Sequence, residues 1–445
     1  MKVRSTLLTI FAAIGLAGCA AQDWQATEAE PQPVTILGAK LIDGTGAEPI
    51  EDSVVVIEGT RIQAAGSRAE TPVPKGGRII DGAGKTVIPG LIELHAHYFG
   101  DRAEMERLLR AQLRFGVTTS RSMGADTDEH LAVIADVRAR KIPAPHLYTA
   151  GRGFTHPDGH PVQLPFVRRP ATEQEARAGV AELGTQRVDF IKIWVESRNE
   201  TLPKIAPAMR QAIVEEASRR HIPVVAHIFD LADVEQLVAS GVKQFLHTVR
   251  DTEDISTELL DRLKAQGVSF IPTFTVAERP WYFAENPGDL DDPEVRSSLE
   301  PALLADILNE QTRRKLLAEP MLAQLKDEYA VGERFVMKLA GHGIRIGVGS
   351  DSGAGVIPMG WGTHHEMQLL VKAGLTPMQA LRAVTGEGAA LLSEGEPAFG
   401  AIEPGKAADL LVLEADPLAD IANTRKIQRV MQAGQWIDRE APPAQ

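Results

Sequence analysis

At 445 residues the chain is too long for one small domain and fits a barrel of about 250 to 300 residues with an accessory domain. Apolar residues make up 44% and charged residues 24%, ordinary values that allow a full hydrophobic core. A net charge of −13, spread along the chain, argues against nucleic acid as a partner, which would favour a basic patch.

Residues 1–19 read as a targeting segment. Lys2 and Arg4 precede a short apolar run from Leu7 to Ile14, too short to span a bilayer. Leu16-Ala17-Gly18-Cys19 follows and resembles a bacterial lipoprotein signal, with Cys19, the sole cysteine, as the lipidated residue. The resemblance implies a lipid-anchored envelope protein facing the periplasm. Ala20 lacks the acidic character of a retention signal, which points to the outer membrane. A soluble periplasmic or secreted protein is the alternative. With one cysteine, the mature chain has no disulfide and no thiolate metal ligand. Residues 20–33, with Pro31 and Pro33, read as a flexible tether.

Residues 34–88 alternate short β-type runs with turns such as Asp43-Gly44 and Asp81-Gly82, and residues 398–440 read the same way. Together they predict one small β-sandwich built from both termini. Between them, residues 89–397 alternate apolar strand-like runs with amphipathic helices, the pattern of an α/β fold of the (β/α)8 TIM-barrel type. Eight strands are expected: Leu91–Tyr98, Val117–Met123, His146–Ala150, Phe190–Val195, Val224–Ile228, Gln244–Thr248, Ser269–Phe274 and Arg345–Ser350. The stretch from Val276 to Lys326, rich in proline, reads as an irregular insertion and a lid over the barrel mouth.

The chemistry follows from the polar residues that interrupt these runs. His95 and His97, two apart in one strand, share a face. Lys192, His227, His247 and Asp351 each lie toward the C-terminal end of a different strand, the ends on which barrel active sites are built. One histidine in an apolar run is more often a core residue than a ligand. Four histidines, an aspartate and a lysine flanked by Phe190, Ile191, Ile193 and Trp194 point instead to a site for divalent metal ions, since a buried ammonium is costly.

The run from Val87 to His97, VIPGLIELHAH, resembles the first-strand signature of the amidohydrolase superfamily, and Glu403 to Leu413, EPGKAADLLVL, resembles its return into the small β-domain. The order His-x-His, Lys, His, His, Asp is similar to that of the imidazolonepropionase-related branch with its lysine-type Xaa-Pro and Xaa-Arg dipeptidases. Glu93 stands where the family commonly has Asp, and Thr385-Gly386-Glu387-Gly388 where it often has an Asn.

The resemblance implies a binuclear metal hydrolase that cuts an amide bond of a dipeptide or N-acyl amino acid, a small-molecule substrate. It implies N6-carboxylation of Lys192 by CO2 and two divalent ions, Zn²⁺ suiting the donors best, with Mn²⁺, Co²⁺ or Fe²⁺ as alternatives. His95, His97, the carbamate and Asp351 would take the more buried ion, and the carbamate, His227 and His247 the other. Asp351 would also be the catalytic proton carrier. His160, after the third strand in Asp158-Gly159-His160, is a candidate substrate contact, and Tyr98 either donates to a substrate carbonyl or faces the core. Trp281 and Tyr282 either line the pocket or pack the insertion, and His364 and His365 are expected on the surface or rim. The alternatives are a one-metal hydrolase or deaminase of a cyclic C–N bond and a lactone or organophosphate esterase; a homo-oligomer is left open.

Overall fold

The computed structural model describes residues 32–299, 301–393 and 395–439. Cys19 and the expected signal and tether therefore lie outside the described residues, apart from Gln32 and Pro33. Five strands open the chain: β1 (Val34–Leu41), β2 (Ile50–Glu58), β3 (Arg61–Ser67), β4 (Arg78–Asp81) and β5 (Thr86–Pro89). Eight more alternate with helices: β6 (Leu91–Ala96), β7 (Val117–Ser122), β8 (His146–Thr149), β9 (Ile191–Trp194), β10 (Val224–His227), β11 (Gln244–Leu246), β12 (Ser269–Ile271) and β13 (Arg345–Ile346). Every one falls inside a range expected from the sequence. β14 (Leu410–Leu413), β15 (Ile427–Gln432) and β16 (Gln435–Trp436) close the order.

β6 to β8 form one parallel sheet and β9 to β13 another. Parallel neighbours require a crossover, and a helix supplies each one. Helix Arg102–Arg114 shows the local logic. Asp101 caps it by accepting from Glu104 N, and Met105, Leu108 and Leu109 sit on its buried face. Backbone bonds also run between the sheets. Leu94 N donates to Val348 O at 3.0 Å and Asp351 N to His95 O at 2.7 Å, while Phe154 N donates to Lys192 O at 2.8 Å and Trp194 N to Phe154 O at 2.9 Å. Main-chain bonds therefore hold Lys192 from both neighbouring segments and tie Asp351 to His95.

The strands of the two ends make one eight-stranded sheet, in which β14 pairs antiparallel with β5 across more than 300 residues of sequence. Ile36, Val55, Ile62, Val87, Leu410, Val412 and Met431 from this sheet share one core. β5 leads directly into β6, so the terminal sheet and the strand bearing His95 are one continuous run.

The segment after β12 differs from expectation. Its prolines begin short helices instead of breaking the chain: Pro293 opens Pro293–Ser297 and Pro301 opens Pro301–Leu308, before the long helix Met321–Gly341. Proline is tolerated in a first turn because its missing N–H has no partner there anyway. Among the described residues no helix is long and apolar enough to cross a membrane.

Candidate metal centre

Six of the expected residues converge. His95 and Lys192 are fully buried, and His97, His227, His247 and Asp351 are each less than one-tenth exposed. Asp351 Oδ1 lies 3.1 Å from His97 Nε2 and 3.4 Å from His95 Nε2. The imidazoles form a chain, with ring centroids 5.3 Å apart for His95 and His97, 5.0 Å for His95 and His247, and 4.1 Å for His227 and His247. Lys192 Nζ sits 5.0 Å above the Trp194 ring. Its stem passes between Gly124 and Gly153, where a Cβ would come within 2.7 and 2.9 Å of Lys192 Cγ. A Cβ at either glycine would press on both the Lys192 stem and the Trp194 ring.

Two of the six residues have left-handed backbones, His247 at φ 69° and Asp351 at φ 58°. Such conformations are uncommon outside glycine and gather at functional sites. Thr273, at φ 54°, shares the strain and binds His247 Nδ1 through its hydroxyl at 2.6 Å. That bond fixes the imidazole and leaves its other nitrogen for a ligand.

The electrostatics suit cations. Burial holds His95, His227 and His247 well below the ordinary histidine range, with the Lys192 charge adding to the effect. Burial likewise pushes Lys192 down to about 7, opposed by Asp351. The site therefore presents neutral nitrogen donors. Five buried atoms within it have no hydrogen-bond partner: His95 Nδ1 and Nε2, His97 Nδ1, Lys192 Nζ and Asp351 Oδ1. Buried polar atoms are almost always satisfied, so this set fits metal ions that would satisfy them.

Glu93 supports this arrangement from below. Its Oε1 accepts from His95 N at 2.8 Å and Ser350 N at 2.9 Å, and its Oε2 from Ser350 Oγ at 2.7 Å and Thr363 Oγ1 at 2.8 Å. It ties the first ligand strand to the loop that carries Asp351. Burial raises its carboxyl to about 7.

The site opens into a cavity of about 460 Å³ lined by the histidines, Asp351, Trp194, Glu196, Arg198, Arg250 and Arg279, among others. His160 is on its wall, within 5.3 Å of His227 by ring centroids. Glu196 is a site residue that the sequence patterns above do not single out. Its carboxylate contacts His227 Nε2 and lies 3.8 Å from His160 Nε2, so His160, Glu196 and His227 form a second group able to hold a cation. The first such group is His95, His97 and Asp351. Glu196 is the first acidic residue after the apolar run that carries Lys192, a signal available in the sequence.

Two expectations are corrected here. Tyr98 does not face the cavity: it is fully buried, and its hydroxyl donates to Gln112 Oε1 at 2.6 Å and meets Ser120 Oγ at 2.8 Å. Next to His97, position 98 alternates to the face opposite the histidines, toward helix Arg102–Arg114. His364 and His365 are not on the surface. His364 is fully buried between Thr424 Oγ1 and the Phe115 carbonyl, and His365 pairs with Glu278 and stacks on Trp361. Trp281 and Tyr282 pack the insertion, against Tyr329 and Trp361 respectively.

Comparison with known proteins agrees with this geometry. The sequence matches the amidohydrolase family over residues 86–437. Ochratoxinase from Aspergillus niger is 24% identical, the match covering 87% of this chain and 82% of that protein. Among solved structures, a candidate prolidase from Bifidobacterium longum superposes with a TM-score of 0.75 at 26% identity, over 93% of this chain and 96% of that one. A Xaa-Pro dipeptidase with methionine in its active site superposes at 0.70 and 22%, over 91% and 100%. The chain belongs to the amidohydrolase family and is a metal-dependent hydrolase of amide-type carbon–nitrogen bonds.

Proposed function

We propose that this hydrolase is binuclear, uses Zn²⁺, and cleaves a dipeptide or an N-acyl amino acid. The observation that carries the reading is Lys192 Nζ, fully buried and without a hydrogen-bond partner among four histidines and Asp351. An amine lowered to about 7 is substantially neutral near physiological pH, and only the neutral amine adds to CO2. Addition forms one N–C bond and releases one proton, leaving a carbamate with two oxygens for two cations. His95, His97 and Asp351 would hold the more buried ion with one oxygen; His227 and His247 would hold the more exposed ion with the other.

Divalent ions at such a site supply Lewis-acid polarisation of a carbonyl and acidification of water. The remaining steps belong to the chain. Asp351 takes the proton of the attacking water and delivers it to the leaving nitrogen. Glu196 accepts from His227 Nε2–H and so fixes the tautomer whose Nδ1 is free to donate its lone pair. His160, neutral because burial lowers it to about 4, contacts the substrate from the cavity wall.

The same reading takes β6 to β13 as a closed (β/α)8 barrel over residues 89–397, supported by the main-chain bonds between the two parallel sheets. Residues 34–88 and 398–440 would form the β-sandwich, supported by their shared core. The run ending at Cys19 supports a lipid anchor facing the periplasm, in the outer membrane. The candidate prolidase among the structural neighbours supports a peptide-type bond.

The reading is tested with a panel of dipeptides, N-acyl amino acids, cyclic amides, lactones and organophosphate esters, assayed with and without a chelator. Chelator-sensitive turnover concentrated on dipeptides or N-acyl amino acids is expected. Preference for cyclic amides, lactones or phosphotriesters would overturn the assignment of the bond.

A further inference from the structure

We propose that the substrate carries a free carboxylate and that Arg250 holds it, with Arg279 as a second guanidinium on the same wall. This rests on the amide-hydrolase reading above and adds the recognition element to it. Three arginines line the cavity, although the chain as a whole carries a net charge of −13. A cationic wall is thus not a by-product of composition.

The three differ in how their charge is met. Arg198 pairs with Glu196 at 3.2 Å. Arg279 donates Nη1 to the Ala354 carbonyl at 2.9 Å, and no carboxylate pairs with it among the described residues. Arg250 has no side-chain hydrogen bond and no ion pair among the described residues, and its Nε is buried without a partner. Its guanidinium lies 5.8 Å from the centre of the Phe229 ring, which holds the plane without neutralising the charge. Burial pushes the Arg250 guanidinium below its ordinary value, as expected of a cation short of counter-charge, whereas Arg279 is exposed to solvent.

No other charge in the cavity is free to help. Glu196 and Asp351 are the acidic residues of its lining. Glu196 already serves His227 and Arg198, and Asp351 faces His95 and His97. Keeping the Arg250 guanidinium unneutralised, with its Nε buried, beside a cation site is costly until an anion enters. The carboxylate is the anion that fits. It is planar, presents two acceptor oxygens to the donor fork of an arginine, and is the group that a dipeptide or N-acyl amino acid carries near the scissile bond. The backbone at Arg250 is firmly anchored. The residue lies three positions past His247, and its N donates to Phe229 O at 3.0 Å, joining the loops after β10 and β11.

The experiment compares each member of a dipeptide and N-acyl amino acid panel as free acid and as C-terminal carboxamide, in wild type, Arg250→Met, Arg250→Lys and Arg279→Gln, all isolated with Zn²⁺. Wild type is expected to favour the acid by tenfold or more in kcat/KM. That ratio should fall about ten- to a hundredfold in Arg250→Met, less in Arg279→Gln, and be partly restored in Arg250→Lys. Thermal unfolding checks that each variant is folded, and Arg250→Lys serves if Arg250→Met is not. Calorimetric titration with the acid forms runs alongside as a readout that needs no turnover. A wild type indifferent to the carboxylate, or an unchanged ratio in the Arg250 variants, overturns the proposal while the turnover itself upholds the hydrolase. If neither form is hydrolysed, the amide reading fails, and titration alone then decides. Acid binding weakened tenfold or more in Arg250→Met supports the clamp, and equal or absent binding overturns it.

Discussion

Replacing Lys192 by Met in the metal-free protein gives a sharp test of the site's electrostatics. Lys192 is fully buried, and burial moves its pKa from 10.5 to about 7. Below pH 7 the folded and unfolded states both carry the proton, and folding bears the full cost of burying it, about 5 kcal/mol at 1.36 kcal/mol per pH unit. Above 10.5 both states are neutral and the cost vanishes. In between, wild-type stability rises with pH, because the unfolded state holds more protons than the folded one. The linkage leaves a cost of about 4 kcal/mol at pH 7.5 and about 1 kcal/mol at pH 10. Methionine is close to lysine in length and carries no charge. Lys192→Met should therefore exceed wild type by about 4 kcal/mol at pH 7.5, with the gap closing to about 1 kcal/mol at pH 10. Denaturant unfolding of both proteins in chelator and CO2-free buffer, across that range, measures the gap. Glu93 and Glu366, raised by burial to about 7 and about 8, lower stability as pH rises through those values, but they do so in both proteins and cancel in the difference. A gap independent of pH, or a variant less stable throughout, would refute the claim that a desolvated amine sits at this position.

Three further outcomes follow from the same geometry. Asp351→Asn should lower kcat by about a hundred- to ten-thousandfold with the fold retained by circular dichroism; near-normal turnover would remove Asp351 from proton transfer. Glu93→Ala strands the buried amides of His95 and Ser350 and the hydroxyls of Ser350 and Thr363, and should destabilise the chain by about 3 to 5 kcal/mol in thermal or denaturant unfolding. A loss under about 1 kcal/mol would mean that water replaces the carboxylate with ease. Cys19→Ser should move the protein from the membrane fraction to the soluble fraction of an envelope extract, and an unchanged distribution would end the lipid-anchor proposal.

The six converging residues are legible in the sequence because each interrupts or closes an apolar run, as Lys192 does between Ile191 and Ile193. Strand periodicity locates β6 to β13 for the same reason. The misses have a common cause, which is dependence on partners distant in sequence. His365 looks like a polar residue at a helix start, but its partner Glu278 comes from a segment 87 residues earlier. His364 is buried by Thr424, 60 residues on. Tyr98 is singled out only for following His97; strand alternation turns it away from the site, where Gln112 of the following helix captures the hydroxyl. Arg250 and Arg279 lie beyond their strands, where no local pattern separates a cavity wall from a solvated loop; what singles them out is the absence of an acidic partner, a property of the folded chain alone.

The central claim is that Lys192 and the histidines hold two catalytic metal ions. Metal analysis of wild type and Lys192→Ala, on the same samples used for amide turnover, addresses it most directly. The account predicts two divalent ions per wild-type chain, loss of at least one in Lys192→Ala, and loss of turnover with it. Equal metal content in both proteins, or undiminished turnover by metal-free wild type, would contradict it.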